Sequence, residues 1–450
     1  MSQDLRSFLE KLKLDHPEEI LEINDPIPIS FQMTALALEL EKQKRPPALL
    51  FKNVIGFSYP VVSNLFASRR RIGLMVGVDE TELVSQWAQL ASNRLIPVLR
   101  QSATVKEVIQ SGKDVNLTTF PIPIHFEVDA GSYITAGIVI ANDPDTGIGN
   151  LSYARMQVKS PDHLGVSLHS RGDLWDFQRR CELQHRPLEV AVAIGVHPAI
   201  NLAAATRLPL GEDEMQLAGG LLGEPVEVVR AETVNVMVPA NAEMIVEGVI
   251  EPDIRENEGP FGEYTGYATS RSTRNVLRVT AITHRRDMIY HDIIPGAASE
   301  HLNLSKISRV PQFFSTLKKT LSNVVAMNYP DSGTHFHCYL SMRKMMDGQP
   351  RQAMALLFGL DHYLKLIIVV DEDIDVFDEK QVLWALATRF QADRDMICIP
   401  DAPGNLLDPS SHGGISAKLG LDATRKFGED VQELKFSPEI KNAVQKLLFH

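Results

Sequence analysis

The stretch "LEVAVAIGVHP" (188–198) is a run of small and β-branched apolar residues closed by Gly195 and Pro198, the pattern of a buried strand. It is one of a series. "ITAGIVIAND" (134–143), "NLSYARMQVKS" (150–160), "PVEVVRAETVNVMVPA" (225–240), "EMIVEGVIEP" (243–252) and "NVLRVTAITHRRDMIYHDII" (275–294) repeat the texture, with turns and few long helices between them. Strands at this density predict a β-rich core of barrel or sandwich type, not a doubly wound sheet.

Outside this core the texture changes. "DLRSFLEKLKL" (4–14), "FQMTALALELEKQ" (31–43) and "DETELVSQWAQLAS" (79–92) have apolar residues at helical spacing, and short apolar runs lie between them. The Pro-interrupted "KDVNLTTFPIPIHFEVDAG" (113–131) marks a boundary. Beyond residue 305, "LIIVVDEDIDVFDEKQVLWALATRF" (366–390) reads as strand, acidic turn and helix. The expected organisation is an α+β multidomain chain: an N-terminal α/β domain at 1–115, the β core at 116–305 and a C-terminal α/β domain at 306–450.

Bulk properties narrow the function. The 450 residues are 44% hydrophobic and 23% charged, an ordinary globular composition. A net charge of −12 with no basic run speaks against a nucleic-acid partner. Three scattered cysteines, Cys181, Cys338 and Cys398, give neither a metal pair nor a disulfide framework. The N-terminal segment lacks a secretory pattern, and no run reaches the roughly 18 apolar residues of a membrane span. The expectation is a cytoplasmic protein with no membrane partner.

The acidic "DEDIDVFDEK" (371–380) fails as a calcium loop, because its sixth position is Val376 and its twelfth is Val382. No phosphate-cradling Gly-rich loop and no nucleophile elbow occurs. "THFHC" (334–338) is expected to set His335 and His337 on one side of a strand. In "GNLSYARMQVKSPDHLGVSLHSRGD" (149–173), Asn150, Ser152 and Arg155 are expected on a strand that turns back into a second strand bearing His169. Such a hairpin can bring an amide, a guanidinium and an imidazole around one anion. "ENEGPFGEYTGY" (256–267) sets Glu258 and Glu263 on either side of a Gly-Pro-Phe-Gly turn, a shaped loop and not a helix or central strand.

Taken together these stretches, with "GEPVEVV", "VMVPANAEMIVEG", "PGAASEHLNL" and "SAKLGLDATRK", resemble the UbiD family of decarboxylases, which use prenylated FMN. The resemblance implies a central split β-barrel that binds the flavin and a C-terminal domain that joins a homodimer or homohexamer. It implies a divalent metal, Mn2+ or Mg2+, on Asn150, His169 and Glu224, gripping the cofactor phosphate. K+ is implied beside it, with backbone carbonyls in "AAATRL" (203–208). Ser152, Tyr153, Ala154 and Arg155 fall in the cofactor-binding motif, and Lys418 matches a lysine that reaches the phosphate.

The family's Glu–Arg–Glu network falls on Glu258, Arg155 and Glu263, with Glu263 as proton donor to the carbon that loses carbon dioxide. A desolvated glutamate near a like charge holds its proton to higher pH, as such a donor requires. The turn's glycines are expected to let the backbone approach the flat cofactor. His301 and Arg309, with His335 or His337, are the expected contacts for a polar or second acidic substituent. The first substrate expectation is furan-2,5-dicarboxylate or a related heteroaromatic acid; hydroxybenzoates and cinnamate-type acids are the alternative. A flavin prenyltransferase is implied as cofactor supplier. Two other classes share features of the sequence: a split-barrel FMN oxidoreductase, which needs neither residue set, and a non-enzymatic complex subunit.

Overall fold

The computed structural model describes residues 3–168, 172–307, 309–428, 434 and 436–448. The central sheet explains the unbroken apolar runs. Along Ile138–Asn142, Leu188–Ile194 and Met244–Arg255, odd and even residues enter different cores. Ile138, Ile140, Ala191, Ala193 and Ile245 pack on one side, whereas Val139, Ala141, Val190, Val192 and Val246 pack on the other. A strand covered on both faces needs no polar alternation. Helices Pro198–Ala204 and Glu214–Leu222 cover the first face through Ile200, Leu202, Met215 and Leu217. Helix Asp173–Leu183, through Leu174 and Phe177, packs into the second core.

The sheet follows one antiparallel path of eight strands, with a ninth strand, Val108–Ser111, attached to Asn275–His284. The path runs Tyr133–Ile134, Met156–Ser160, His163–Val166, Asn275–His284, Met244–Arg255, Leu188–Ile194, Ile138–Asn142 and Gly149–Tyr153. Its two ends are joined by short pieces of chain. Residues 154–155 connect the last strand to the second, and residues 135–137 connect the first strand to the seventh. Three peptide steps from Tyr153 to Met156 span at most about 11 Å. The sheet must therefore curl into a half-barrel until its ends nearly meet, although no ladder closes the seam among the described residues. The expected single strand 150–160 is corrected here: Ala154 and Arg155 interrupt it and cross the seam.

The flanking domains interlock with this sheet. Ile20–Ile23, Ala48–Phe51 and Val61–Ser63 form the N-terminal sheet, and Tyr290–His291 completes it. In return, Val98–Leu99 pairs with Glu227–Arg230, and Val108–Ser111 joins the central sheet. A division at 115 thus separates Val108–Ser111 from its partner, and hydrogen bonding draws that line earlier. In the C-terminal domain His337–Met342, Leu366–Asp371 and Ile415–Ala423 run parallel between the antiparallel edges Val324–Asn328 and Met396–Pro403. Leu340, Ile367 and Val369 face one core, and Tyr339, Ile368 and Val370 the other, an α/β sandwich as expected. The acidic turn is tied down by Arg389, which bonds Asp371 and Asp373, and by Asp378, which caps the next helix. No helix among the described residues is long and apolar enough to cross a membrane.

Candidate functional site

A cavity of about 360 Å³ opens at the seam, and residues of both crossing links, Thr135, Ala154 and Arg155, line it. Small side chains at Ala154, Ala204 and Ala205 keep space on its walls, and Tyr153 lines it with its hydroxyl fixed on Asn201 Oδ1 at 2.7 Å.

Arg155 organises the polar end. Its Nε and Nη2 donate to the two oxygens of Glu258 at 3.1 and 3.0 Å, and its Nη1 donates to Glu263. Nη2 also reaches the Arg271 carbonyl at 2.8 Å, and the guanidinium lies over the Phe261 ring. Both glutamates are buried, Glu258 at 3% exposure and Glu263 at 7%. Burial pushes the Glu263 carboxyl above the usual carboxylate range; Arg155 opposes this, and the nearby Glu258 adds to it. The two acids flank Phe261–Gly262, the first strand of a hairpin completed by Ala268–Thr269.

The glycines of this turn are hemmed by the protein's own atoms. A Cβ on Gly262 would sit 2.6 Å from the Phe126 ring, and Gly259 has φ +97° with Ser270 backbone 3.2 Å from a Cβ position. They admit the protein's own Phe126 and hairpin partner.

Asn150 lies at 4% exposure on the edge strand Gly149–Tyr153. Its Nδ2 donates to Glu214 Oε2 at 3.0 Å, the Leu151 N–H donates to the same oxygen at 2.9 Å, and Ser152 Oγ donates to Asn150 Oδ1 at 2.7 Å. The carboxylate at Asn150 is therefore Glu214, which corrects the expectation of Glu224. Asp213 caps helix Glu214–Leu222 through the Met215 N–H, and Gly223, at φ +77°, ends it. Eight residue steps of about 1.5 Å put Leu222 roughly 12 Å from Glu214 along the axis, and Glu224 lies half-buried beyond that far end. Burial pushes Glu214 up to about 8, against the Leu151 N–H and with Asp213 and Asp173 adding to it. A buried carboxyl among acids is costly without a counter-charge. His169 lies outside the described residues.

The chain matches three consecutive domains of one family: the 3-octaprenyl-4-hydroxybenzoate carboxy-lyase N-terminal domain over residues 12–91, the Rift-related domain over 97–298 and the C-terminal domain over 303–423. It is 33% identical to the anhydromevalonate phosphate decarboxylase of Methanothermobacter thermautotrophicus, across 93% of this chain and 96% of that one. The chain belongs to the UbiD family. The UbiD-class enzyme HmfF of Pelotomaculum thermopropionicum, solved in complex with FMN, superposes with a TM-score of 0.92 at 38% identity over 98% of both chains. An evolved dimeric form of HmfF in complex with prFMN gives 0.89 at 36% identity over 98% of both chains. The 3,4-dihydroxybenzoic acid decarboxylase of Klebsiella pneumoniae also gives 0.89, at 26% identity over 98% of this chain and 99% of that one.

In this UbiD-family decarboxylase the remaining expected residues divide. His301, on helix Ser299–Lys306, lines the cavity with Ser305. Its Nδ1 lies 3.0 Å from the Gly296 carbonyl, and burial lowers its pKa, so the neutral ring donates there. Arg309 is outside the cavity lining: it bonds both oxygens of Asp361 at 2.9 Å and lies over the Tyr363 ring. His335 and His337 do not share a strand, because His335 sits in the turn before His337–Met342. The buried His335 Nε2 meets Ser305 Oγ at 3.0 Å, one residue removed from the cavity. Lys418 Nζ donates to the His362 carbonyl at 2.6 Å. Within 203–208, the Ala203 carbonyl accepts the Thr206 N–H at 2.9 Å.

Glu214 is the functional candidate the sequence reading missed. Its signal was present: Glu214, Leu217, Ala218 and Leu221 share one helical face, and all four are buried.

Proposed function

We propose that this UbiD-family protein removes carbon dioxide, reversibly, from a heteroaromatic or other unsaturated carboxylic acid using prenylated FMN. The single observation that supports this most is Arg155 held between Glu258 and Glu263 in the wall of the seam cavity. We read the seam as the split of a split barrel, with the flavin at it. When bound, prenylated FMN supplies the sink for the electrons left by carbon dioxide.

The chain's own residues supply the rest. Two donors of Arg155 hold Glu258, one holds the Arg271 carbonyl and one fixes Glu263, which leaves the second Nη1 N–H for the substrate carboxylate. Glu263, its pKa raised by burial, keeps a proton on its carboxyl and delivers it to the vacated carbon. Asn150 and Glu214 offer two hard oxygen donors, which suit Mn2+ or Mg2+. With His169 they would hold the ion that grips the flavin phosphate. K+ beside it and Lys418 at the phosphate remain part of the reading, as does a homo-oligomer supplied with cofactor by a flavin prenyltransferase.

Furan-2,5-dicarboxylate is the first substrate proposed, with His301 at its polar substituent: the ring donates from Nδ1 to Gly296, so Nε2 binds a second carboxylate only after taking up a proton. Arg309 would join it only after leaving Asp361. The test is carbon dioxide release by protein co-produced with a flavin prenyltransferase, offered furan-2,5-dicarboxylate, 3,4-dihydroxybenzoate, cinnamate and anhydromevalonate phosphate. Turnover of furan-2,5-dicarboxylate supports the reading. Turnover of anhydromevalonate phosphate alone overturns the substrate, and ordinary FMN with NAD(P)H oxidation overturns the reaction.

A further inference from the structure

Glu258 and Glu263 stand at the two ends of one turn, and three of that turn's backbone groups are held from outside it. The Gly259 N–H donates to Gln157 Oε1 at 3.3 Å, and the Pro260 carbonyl accepts the Ala130 N–H at 2.9 Å. The Gly262 N–H, next to Glu263 in the chain, donates to Asp129 Oδ1 at 2.9 Å. Gln157 in turn donates from Nε2 to the Ala130 carbonyl at 2.9 Å, so strand Met156–Ser160 and the segment 126–130 form one clamp.

Asp129 is the member of this clamp that bonds on both sides. Its Oδ2 accepts the Phe126 N–H at 2.9 Å, and its own N–H donates to the Phe126 carbonyl at 3.0 Å. The carboxylate thus closes a tight turn, Phe126–Asp129, while it grips the hairpin. That turn sets the Phe126 ring where a Cβ on Gly262 would lie 2.6 Å away. A carboxylate holds a backbone N–H about twice as strongly as a neutral acceptor does. Across the hairpin the Glu263 N–H donates to the Tyr267 carbonyl at 3.0 Å. That bond is internal to the hairpin and does not set where it stands against the sheet. Asp129 lies outside the residues that line the cavity, so its route to the reaction runs through Glu263.

We propose that Asp129 is a positioning residue for the proton donor: by holding the Gly262 amide it sets the Glu263 carboxyl against Arg155 and the reacting carbon. The proposal rests on the reading of Glu263 as that donor. Misplacing a catalytic group by about 1 Å can cost about 10²-fold in rate. Glu263 is one residue from the held amide, so a displacement of that amide passes directly to the donor. Substrate binding is left to Arg155, which Glu258 still orients, so the effect falls on kcat and not on KM.

The test uses the full-length, flavin-loaded enzyme and the acid, of the four offered above, that it decarboxylates. Asp129→Ala should lower kcat by about 10²-fold, with KM within about threefold of wild type and flavin content unchanged. Asp129→Asn, which keeps one acceptor oxygen, should fall between the two. In crystals of Asp129→Ala, Glu263 should be displaced from Arg155 Nη1 while Glu258 stays on Nε and Nη2. Wild-type kcat in a folded Asp129→Ala overturns the proposal, as does a loss of kcat matched by loss of flavin, or a Glu263 that stays on Arg155. Glu263→Gln is run alongside: full activity there overturns the donor reading and leaves the crystals to decide Asp129. Should Asp129→Ala not fold, the same kinetics and crystals are read on Asp129→Asn.

Discussion

Glu214 Oε2 lies 3.0 Å from Asn150 Nδ2, so the first residue of a helix occupies the open edge of the central sheet. Substituting a ligand or its orienting partner typically costs 10–100-fold in metal affinity. Glu214→Ala should therefore lose manganese and flavin by about tenfold or more, whereas Glu224→Ala should retain both. Metal analysis and flavin absorbance of the gel-filtered protein decide the matter; the opposite ranking would restore Glu224.

Glu263 must be protonated to donate. Its pKa is raised by burial, so activity should be flat on the acid side and fall as pH climbs through that raised value. Removing a general acid costs about 10²–10⁴-fold, and Glu263→Gln should lose that much in kcat with flavin content unchanged. Exchange of product hydrogen with deuterated water reports the same step. A parental exchange rate in Glu263→Gln would remove the assignment.

Arg155 is 7% exposed at its side chain and is the shared cation of two buried acids. Breaking a buried pair from one side leaves uncompensated charge and costs about 3–5 kcal/mol. Arg155→Met should be destabilised by about that much, measured by urea unfolding of the apoprotein. Adding Glu258→Gln should recover part of the loss. Simple additivity of the two changes would contradict the coupling.

Ser299 joins three domains through one hydroxyl. Its Oγ bonds Glu41 from the N-terminal domain and lies 2.9 Å from Asp331 Oδ2 of the C-terminal domain, while Lys306 neutralises Asp331 from below. A hydroxyl has one hydrogen, so serving both acids requires a proton on one of them. Burial raises the Glu41 pKa, and Asp331 raises it further. The folded state thus keeps a proton that the unfolded chain releases at about pH 4.3. The stabilisation is full below that value and is lost as pH rises through the folded pKa. Thermal unfolding from pH 4 to 8 should show Glu41→Gln gaining on wild type as pH rises. Parallel curves would refute the shared proton.

Glu258, Glu263 and Arg155 were legible through the resemblance of their motifs to the family; the residues alone gave two acids around a shaped turn and an arginine on a polar hairpin. Glu214 was not, because Gly223–Glu224 offered a shorter pattern and the helical face that buries Glu214 was left unused. The break at Ala154–Arg155 has no glycine or proline to mark it; only long-range pairing of the two sheet ends imposes it. The interlocked N-terminal sheet escaped for the same reason, since Tyr290 finds Val61 across most of the chain.

The crossings at 135–137 and 154–155 are only three and two residues long. Lengthening either would swing the guanidinium away from its acids before any new acid could be admitted. An engineer who wants a different substrate should therefore leave that wall untouched and redesign the opposing helix, where single side chains can change without dragging the backbone.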